Sequence, residues 1–352
     1  MVKPVIVVIG ASAGGVEALI RLVNDLPSDL PAVIGMVLHF PTSGTSVLPD
    51  ILNRSGVLPA VHASNQLALQ PGQICVAPPD RHLWIEDGHW RLTHGPRENG
   101  HRPAIDPLFR SAAQAYGSRV IGVILSGNLD DGTAGLQIIK HHGGLAVVQD
   151  PADALYPDMA RSAIEHVAVD YVLPLDQMGA QLSLLVNRLT ETSEGRVPPM
   201  TGEPNEEDRV VQHDKQALEQ GARPGQPTVF TCPECGGTIW ELDEGEALRF
   251  RCHVGHAYSA ESFIAEQAER LESALWTAYR ALEEKASLAR RMAERARQHG
   301  NNLIEARFAE QALNASQNAS LLRQALLNKD LTLPSAPKEV AEISEAHRPA
   351  HA

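Results

Sequence analysis

Six short apolar runs constrain what the first half of this chain can become. Val5–Ile9, Ala32–Leu38, Gln73–Ala77, Val120–Leu125, Leu145–Gln149 and Tyr171–Leu173 are rich in Val, Ile and Leu, without the period-two alternation of a half-solvated strand. A strand that is apolar on both faces must be covered on both faces, which is the habit of a parallel sheet between layers of helix. Amphipathic stretches lie between several of these runs, at Gly15–Leu26, Pro107–Tyr116 and Ala134–His142, where crossover helices belong. The expectation is an α/β domain with a mostly parallel sheet flanked by helices, spanning residues 1–190 and closing near Leu189. Trp84–Thr93, with Asp87-Gly88 at its centre, instead reads as a β-hairpin.

Composition changes after that domain. Ser193–Pro227 is rich in Pro, Gly, Glu, Asp and Gln, so residues 191–227 read as a linker, with a brief helix at Lys215–Gln220. A small module follows over residues 228–262. Beyond it, Leu271, Leu275, Ala278, Leu282, Ala286, Ala289, Met292 and Ala296 recur by threes and fours, as do Phe308, Ala312, Ala315, Ala319, Leu322 and Leu326. Gly300-Asn301-Asn302 separates the two stripes, which predicts an antiparallel α-helical hairpin over residues 263–330 with coiled-coil-like seams. The stripe reads as the hairpin's own core, with an oligomer seam as the alternative. Residues 331–352 read as a disordered tail.

A formal net charge of −13 argues against a general nucleic-acid binder, which needs a basic surface to neutralise phosphates. No run approaches the roughly 18 apolar residues of a membrane span. Lys3, the run Val5–Ile9 and Ala11-Ser12-Ala13 imitate a secretory leader, but the run falls short of the usual apolar region of about 7–15 residues. The expected location is cytoplasmic.

Three of the four cysteines cluster in the small module. Cys232, Cys235, Cys252 and His256 form the pattern C-x2-C-x16-C-x3-H, two ligand pairs separated by a hairpin's length, as a closed tetrahedral zinc site requires. A structural zinc ion in a zinc-ribbon-like module is the expectation. His253 competes with His256 for the fourth position, although it directly follows Cys252, which strains chelation of one ion. Cys75, alone in an apolar run, reads as an inert core residue.

The turn after the first strand, Gly10-Ala11-Ser12-Ala13-Gly14-Gly15, admits two readings. A dinucleotide loop wants glycine where Ser12 stands and an acid about 20 residues on, yet the second strand ends in Leu38-His39-Phe40-Pro41. The pattern G-x-S-x-G fits a nucleophile elbow better, with a serine hydroxyl exposed on a sharp strand-to-helix turn. Ser12 follows the first strand, His39 ends the second, and Asp131 follows the strand Val120–Leu125, so all three fall on one edge of a parallel sheet. A serine needs a base, and the base needs an orienting carboxylate. His39 alone reads more readily as a strand-end histidine bonded to backbone, Asp131-Gly132 reads also as an ordinary turn, and Asp130 is an alternative to Asp131. His62, His82, His89, His94, His141, His142 and His166 read as surface or loop residues.

The segments "VIGASAGG", "LHFP", "VAPPDRHL", "GHRPAIDPLFRSAA", "GVILSGNLDDGTAGL" and "GGLAVVQDP" together resemble the catalytic domain of CheB-type protein-glutamate methylesterases over about residues 4–190. The resemblance implies a serine hydrolase that demethylates glutamyl γ-esters on methylated chemoreceptor helices and deamidates related glutamines, with no cofactor for catalysis. It implies Ser12 as nucleophile, His39 as general base and acid, and Asp131 as orienting carboxylate. The Ala13 N–H is the candidate oxyanion donor, with the Asn128 loop contributing. The family's T-G-M-G-x-D-G is here Ser126-Gly127-Asn128-Leu129-Asp130-Asp131-Gly132, so Asn128 and Leu129 replace a methionine and a glycine. No room is left before the first strand for the family's receiver domain, so activity is expected to be either unregulated by phosphorylation or regulated by another route. The module and hairpin are expected to dock or regulate, with a methyltransferase or another chemosensory protein as partner. Two other functions remain open at this level: a non-hydrolysing scaffold on the same fold, or a serine esterase for another carboxyl ester.

Overall fold

The computed structural model describes residues 3–40, 45–191, 225–244 and 247–327. The chain divides into two compact units, Met1–Phe263 and Ile264–Ala352. The first is organised around a seven-stranded sheet. Its members are β1 (Val5–Ala11), β2 (Ala32–Leu38), β3 (Ala60–His62), β5 (Ile74–Val76), β8 (Val120–Ile124), β9 (Leu145–Gln149) and β10 (Tyr171–Leu173). They lie in the order β10-β9-β8-β1-β2-β5-β3, and every pairing is parallel. From the central β1 the chain builds outward on one side through β2, then returns to β8 on the other. Such a reversal opens a crevice at the carboxyl ends of the strands.

The continuous apolar character of β1 has a direct cause. Val5, Val7 and Ile9 pack into one core with Leu19 and Leu22 of α1 (Gly15–Asn24) and Met178 and Leu182 of α6 (Leu175–Glu191). Ile6 and Val8 pack into a second core with Leu108 and Phe109 of α3 (Ile105–Tyr116), Leu136 of α4 (Thr133–His141) and Met159 of α5 (Asp158–His166). Alternate side chains thus enter opposite cores, each fully buried Val or Ile contributing about 1.5–3 kcal/mol. Cys75 lies in the second core, where burial pushes its thiol up to about 12.

The expected hairpin forms as β6 (His82–Glu86) and β7 (His89–Thr93), joined through Asp87 and Gly88 at φ +50° and +75°. A two-residue hairpin turn with positive φ at both positions follows the strand twist, and Asp-Gly is suited to it. β4 (Leu67–Ala68) adds to β7. His82 corrects its sequence reading: it is buried, with Nε2 2.9 Å from the Pro96 carbonyl and Nδ1 accepting the Ala104 N–H at 3.2 Å. A polar edge that completes its hydrogen bonds can be buried at little cost. The helix α2 (Leu48–Ser55) was not anticipated.

The cysteine-bearing module belongs to the same unit as the parallel sheet. It is a four-stranded antiparallel sheet in chain order, β11 (Gln226–Thr231), β12 (Thr238–Glu244), β13 (Ala247–Cys252) and β14 (Ala257–Ser259). Ile239, Phe250, Tyr258 and Phe263 form its core with Cys232 and Cys252.

Two long helices follow, α7 (Ala260–Gln298) and α8 (Asn302–Leu327). The break between them carries Gly300 at φ +68°, and Asn301 Oδ1 accepts the Ile304 N–H at 3.2 Å as a helix N-cap. The buried stripe is Ala286, Ala289, Ala293 and Ala296 on α7 and Ala312, Ala315 and Ala319 on α8. The expected seam residues Leu271 and Met292 are exposed instead. A seam of alanines spaced by threes and fours leaves the larger residues at its rim. The expected helix at Lys215–Gln220 and the tail 331–352 lie outside the described residues. Among the described residues no helix is long and apolar enough to cross a membrane.

Candidate active site

β1 turns into α1 within three residues. Gly14 makes the corner at φ +70°, where a Cβ would meet Ser126 Oγ at 2.8 Å. The Ser12 N–H donates to the Ser126 carbonyl, and the Gly15 N–H to the Ser12 carbonyl, both at 2.9 Å. These bonds hold Ser12 at the carboxyl edge of the central strand. His39 follows β2 directly, its N–H donating to the Ala11 carbonyl at 3.3 Å. Asp131 stands on the loop from β8 to α4.

The three side chains meet. His39 Nδ1 lies 3.0 Å from the Ser12 hydroxyl, and His39 Nε2 lies 2.7 Å from Asp131 Oδ2. With the Nε2 proton donated to the carboxylate, Nδ1 turns its lone pair to the hydroxyl. The His39 and Asp131 side chains are only 7% and 3% exposed, so this line of charge and hydrogen bonds is shielded from water.

Asp131 is held by more than His39. Its Oδ2 accepts the Ile105 N–H at 2.7 Å, and its Oδ1 accepts Asn99 Nδ2 at 2.8 Å. Burial by itself raises a carboxyl, but the hydrogen bond and charge of His39, with the Ile105 N–H, hold Asp131 well below the usual carboxylate range. It is therefore ionised near neutrality. Its neighbours move the other way: burial, then the Asp131 charge, push Asp106 up to about 7, and burial pushes Asp130 up to about 6. Asp130 does not take the place of Asp131 beside His39; its Oδ1 accepts the Ser259 hydroxyl at 2.7 Å.

The loop across from Ser12 is tightly confined. The Gly127 N–H donates to the Tyr156 carbonyl at 2.9 Å, and a Cβ at Gly127 would collide with Met159 Sδ and approach Ser12 Cβ to 2.9 Å. Asn128 is exposed at the head of this loop, and Leu129 adopts φ +58°, the left-handed region. The Ala13 N–H, next to Ser12, has no hydrogen-bond partner among the described residues.

Two residues beside the site were not singled out from sequence. The His101 ring stacks on that of His39, with centroids 3.7 Å apart and planes inclined by 31°. Burial and the adjacent His39 push His101 down to about 4, so it is neutral at physiological pH. Its Nδ1 lies 2.5 Å from the carbonyl of Asn99, the residue whose side chain holds Asp131. His101 lies inside the segment "GHRPAIDPLFRSAA", so that segment's position between hairpin and α3 was the available signal. Asn99, one residue outside it, gave none beyond an Asn-Gly turn.

A second cluster lies in the module. The ligand atoms of Cys232, Cys235, Cys252 and His256 all fall within 4.8 Å of one another. Cys235 and Cys252 Sγ are 3.7 Å apart, and His256 Nδ1 is 3.6 and 3.4 Å from Cys232 and Cys252 Sγ. Tetrahedral zinc, with Zn–S of about 2.3 Å and Zn–N of about 2.0 Å, sets neighbouring ligand atoms roughly 3.5–3.8 Å apart. The donor set therefore fits such an ion. His256 Nε2 is backed by Glu234 at 2.5 Å, the carboxylate–histidine pairing common behind metal ligands. His253 is exposed, its ring 6.2 Å from that of Trp240, and takes no part in the cluster.

A serine hydroxyl on a strand-to-helix corner, joined through an imidazole to a buried carboxylate, gives this α/β protein the geometry of a serine hydrolase. The model of the CheB methylesterase family matches residues 7–182. Over 173 residues the chain is 42% identical to a protein-glutamate methylesterase/protein-glutamine glutaminase of Anaeromyxobacter dehalogenans, covering 49% of this chain and 51% of that one. A putative enzyme of the same designation from Leptospira interrogans is 41% identical over 173 residues, 90% of its length. The crystal structure of the Thermotoga maritima CheB methylesterase catalytic domain superposes with a TM-score of 0.51 at 34% identity, covering 52% of this chain and all of that domain. The chain belongs to the CheB methylesterase family. It spans about half the length of the Anaeromyxobacter relative, and the module and the helical pair lie beyond the matched residues.

Proposed function

We propose that this chain is a protein-glutamate methylesterase that hydrolyses glutamyl γ-methyl esters on the cytoplasmic helices of chemoreceptors. The observation that carries this reading is the unbroken run from the Ser12 hydroxyl through His39 to Asp131. Ser12 Oγ attacks the ester carbonyl as His39 takes its proton at Nδ1. Asp131 keeps the Nε2–H bond and stabilises the imidazolium that forms. The Ala13 N–H, at the entrance to α1, receives the oxyanion. The tetrahedral intermediate collapses, His39 returns the proton, and methanol leaves. Water, deprotonated at the same Nδ1, then attacks the acyl-enzyme and releases the glutamate side chain and Ser12. A glutamine follows the same course with ammonia leaving, in line with the double designation of the relatives. None of these steps draws on a cofactor.

The test is methanol release from a methylated receptor fragment, with wild type against Ser12→Ala. Wild type is expected to exceed the variant by at least about a thousandfold, as loss of a triad nucleophile does elsewhere. Equal rates would overturn the reading.

Cys232, Cys235, Cys252 and His256 would hold a structural zinc ion, since three thiolates and an imidazole leave no open position for substrate. The cytoplasm is the place where such thiols stay reduced and receptor helices are reached. To the α7–α8 pair we assign docking of another chemosensory protein, with a methyltransferase as the candidate class.

A further inference from the structure

The module and the catalytic loops share a residue. Asn99 is 4% exposed and sits at φ +50°, a conformation asparagine tolerates better than most residues. Its side chain faces two ways. Nδ2 donates to Asp131 Oδ1 at 2.8 Å and to Asp106 Oδ2 at 3.0 Å. Oδ1 accepts the Ser259 N–H at 3.0 Å and the Ser262 hydroxyl at 3.1 Å, both from the module's end. Its backbone is engaged as well: the N–H donates to the Ala257 carbonyl at 2.8 Å, and the carbonyl meets His101, the ring stacked on His39. Every polar group of Asn99 is thus committed either to the catalytic cluster or to the module.

The module's side of this contact is tied to its cysteine cluster. Ala257 directly follows His256, and its N–H donates to the Arg97 carbonyl at 3.3 Å. Glu234, which backs His256, pairs with Arg97 at 2.9 Å. The stretch Arg97–Asn99 is therefore gripped at one end through a ligand's own carboxylate partner and at the other by the strand that follows that ligand. Ser259 caps α7 by accepting the Ser262 N–H at 3.0 Å, and its hydroxyl holds Asp130. Arg249 on β13 reaches Asp106 at 3.6 Å, with both side chains almost wholly buried.

We propose that Asn99 is a positioning residue through which the module holds Asp131 in place, so that hydrolysis at Ser12 depends on a metal ion that never touches the substrate. This rests on the serine-hydrolase reading of Ser12, His39 and Asp131 and on the zinc reading of the cysteine cluster. Metal loading orders the turn from Cys252 to His256 and the strand leaving it. That strand and Ser262 fix the Asn99 amide, and the amide fixes the carboxylate that orients His39. Loss of the metal frees the Asn99 amide to turn away, which leaves Asp131 short of one donor.

The experiment uses the full chain and two readouts: the rate of Ser12 acylation by a fluorophosphonate, and kcat and KM for methanol release. Asn99→Gly removes the side chain while allowing the positive φ. Ser262→Ala removes one bond to Asn99 together with the 2.8 Å contact to the Ser259 hydroxyl, and leaves Asp131, His39 and the metal ligands untouched. A hydrogen bond that supports a charged group corresponds to roughly a 10- to 100-fold effect. Labelling rate and kcat are expected to fall in that range for Asn99→Gly and severalfold for Ser262→Ala, with KM unchanged. Ser262→Ala is expected to add nothing in the Asn99→Gly background, because its effect passes through Asn99. Zinc removal by a chelator is expected to slow labelling of wild type, reversibly on adding zinc ion, and to leave Asn99→Gly unaffected. The low-field proton resonance of the His39–Asp131 bond should broaden in step.

Unchanged labelling after verified zinc loss, or additive Ser262→Ala and Asn99→Gly effects, would overturn the proposal and leave the hydrolase reading intact. So would a purified chain that binds no zinc. Absence of any Ser12 labelling in zinc-loaded wild type would instead remove the hydrolase reading, and the proposal with it. If the stripped chain unfolds, the metal-loaded Ser262→Ala and Asn99→Gly pair still decides the outcome.

Discussion

Leu129 occupies a backbone conformation that suits a different residue. At φ +58° its Cβ crowds the carbonyl that follows, a strain of roughly 1–2 kcal/mol for a side chain other than glycine. The family pattern has glycine there, the residue to which this conformation costs least. Leu129→Gly is expected to raise stability by about 1 kcal/mol or slightly less, since glycine loses more chain entropy on folding. A higher urea midpoint at unchanged slope is the measurement, and a lower midpoint would show that the leucine side chain contributes more than its strain costs. Single residues also mark where sequence reading ended. Ser12, His39 and Asp131 were legible because each follows an apolar run, and parallel strands bring such positions to one edge. Asn99 and His101 follow no strand of the sheet. They reach the site through a loop whose course depends on β6, β7 and the start of α3, which local pattern does not encode.

At the scale of elements, strands buried on both faces were the readable ones. Ala32–Leu38 and Leu145–Gln149 coincide with β2 and β9, because nothing but a covered strand suits such runs, and Tyr171–Leu173 coincides with β10 although that strand lies at the sheet's edge with Val172 exposed. β3 and β4 have three and two residues, too few for any periodicity to show, and α2 has eight residues with only three of them buried. In the module the clustering of Cys232, Cys235, Cys252 and His256 was legible in their spacing, since tight turns bring each pair together locally. What the module packs against was not, because Ser259 meets Asn99 across 160 residues. The ligand assignment has its own check. Cys232→Ser is expected to reduce bound zinc from about one ion per chain to well below that, as loss of one ligand in a closed site does. Elemental analysis after gel filtration reads it directly, and undiminished zinc would refute the assignment.

Across the whole of the first unit, the buried carboxylates make stability depend on pH in two separate windows. Asp106 is faced by the Gly135 N–H at 2.7 Å, by Asn99, by Arg249 from the module and by Asp131. Burial, then Asp131, carries it from 3.8 to about 7, so between those values the folded chain holds a proton that the unfolded chain has lost. Its contribution is fully present below about pH 4 and is lost as pH rises through 7. Asp131 has the opposite sign: it stabilises above its unfolded value and loses that contribution only in strong acid. Asp106→Asn is therefore expected to flatten the decline of the urea midpoint between pH 4.5 and 8, and an unaltered slope would exclude Asp106 as its source.

The grip of Ser259 and Ser262 on Asn99 also has a consequence for how the protein comes into being. The ribosome delivers Ser12 long before Asp131, and Asp131 long before the module. A nascent chain can thus fold its parallel sheet and bring serine, histidine and aspartate together while the residues that steady them are still unmade. Under the proposed coupling, full competence arrives only when the far end of the first unit has been synthesised and has found its metal. Newly made and metal-starved copies would then work well below the mature rate, a delay written into the order of translation.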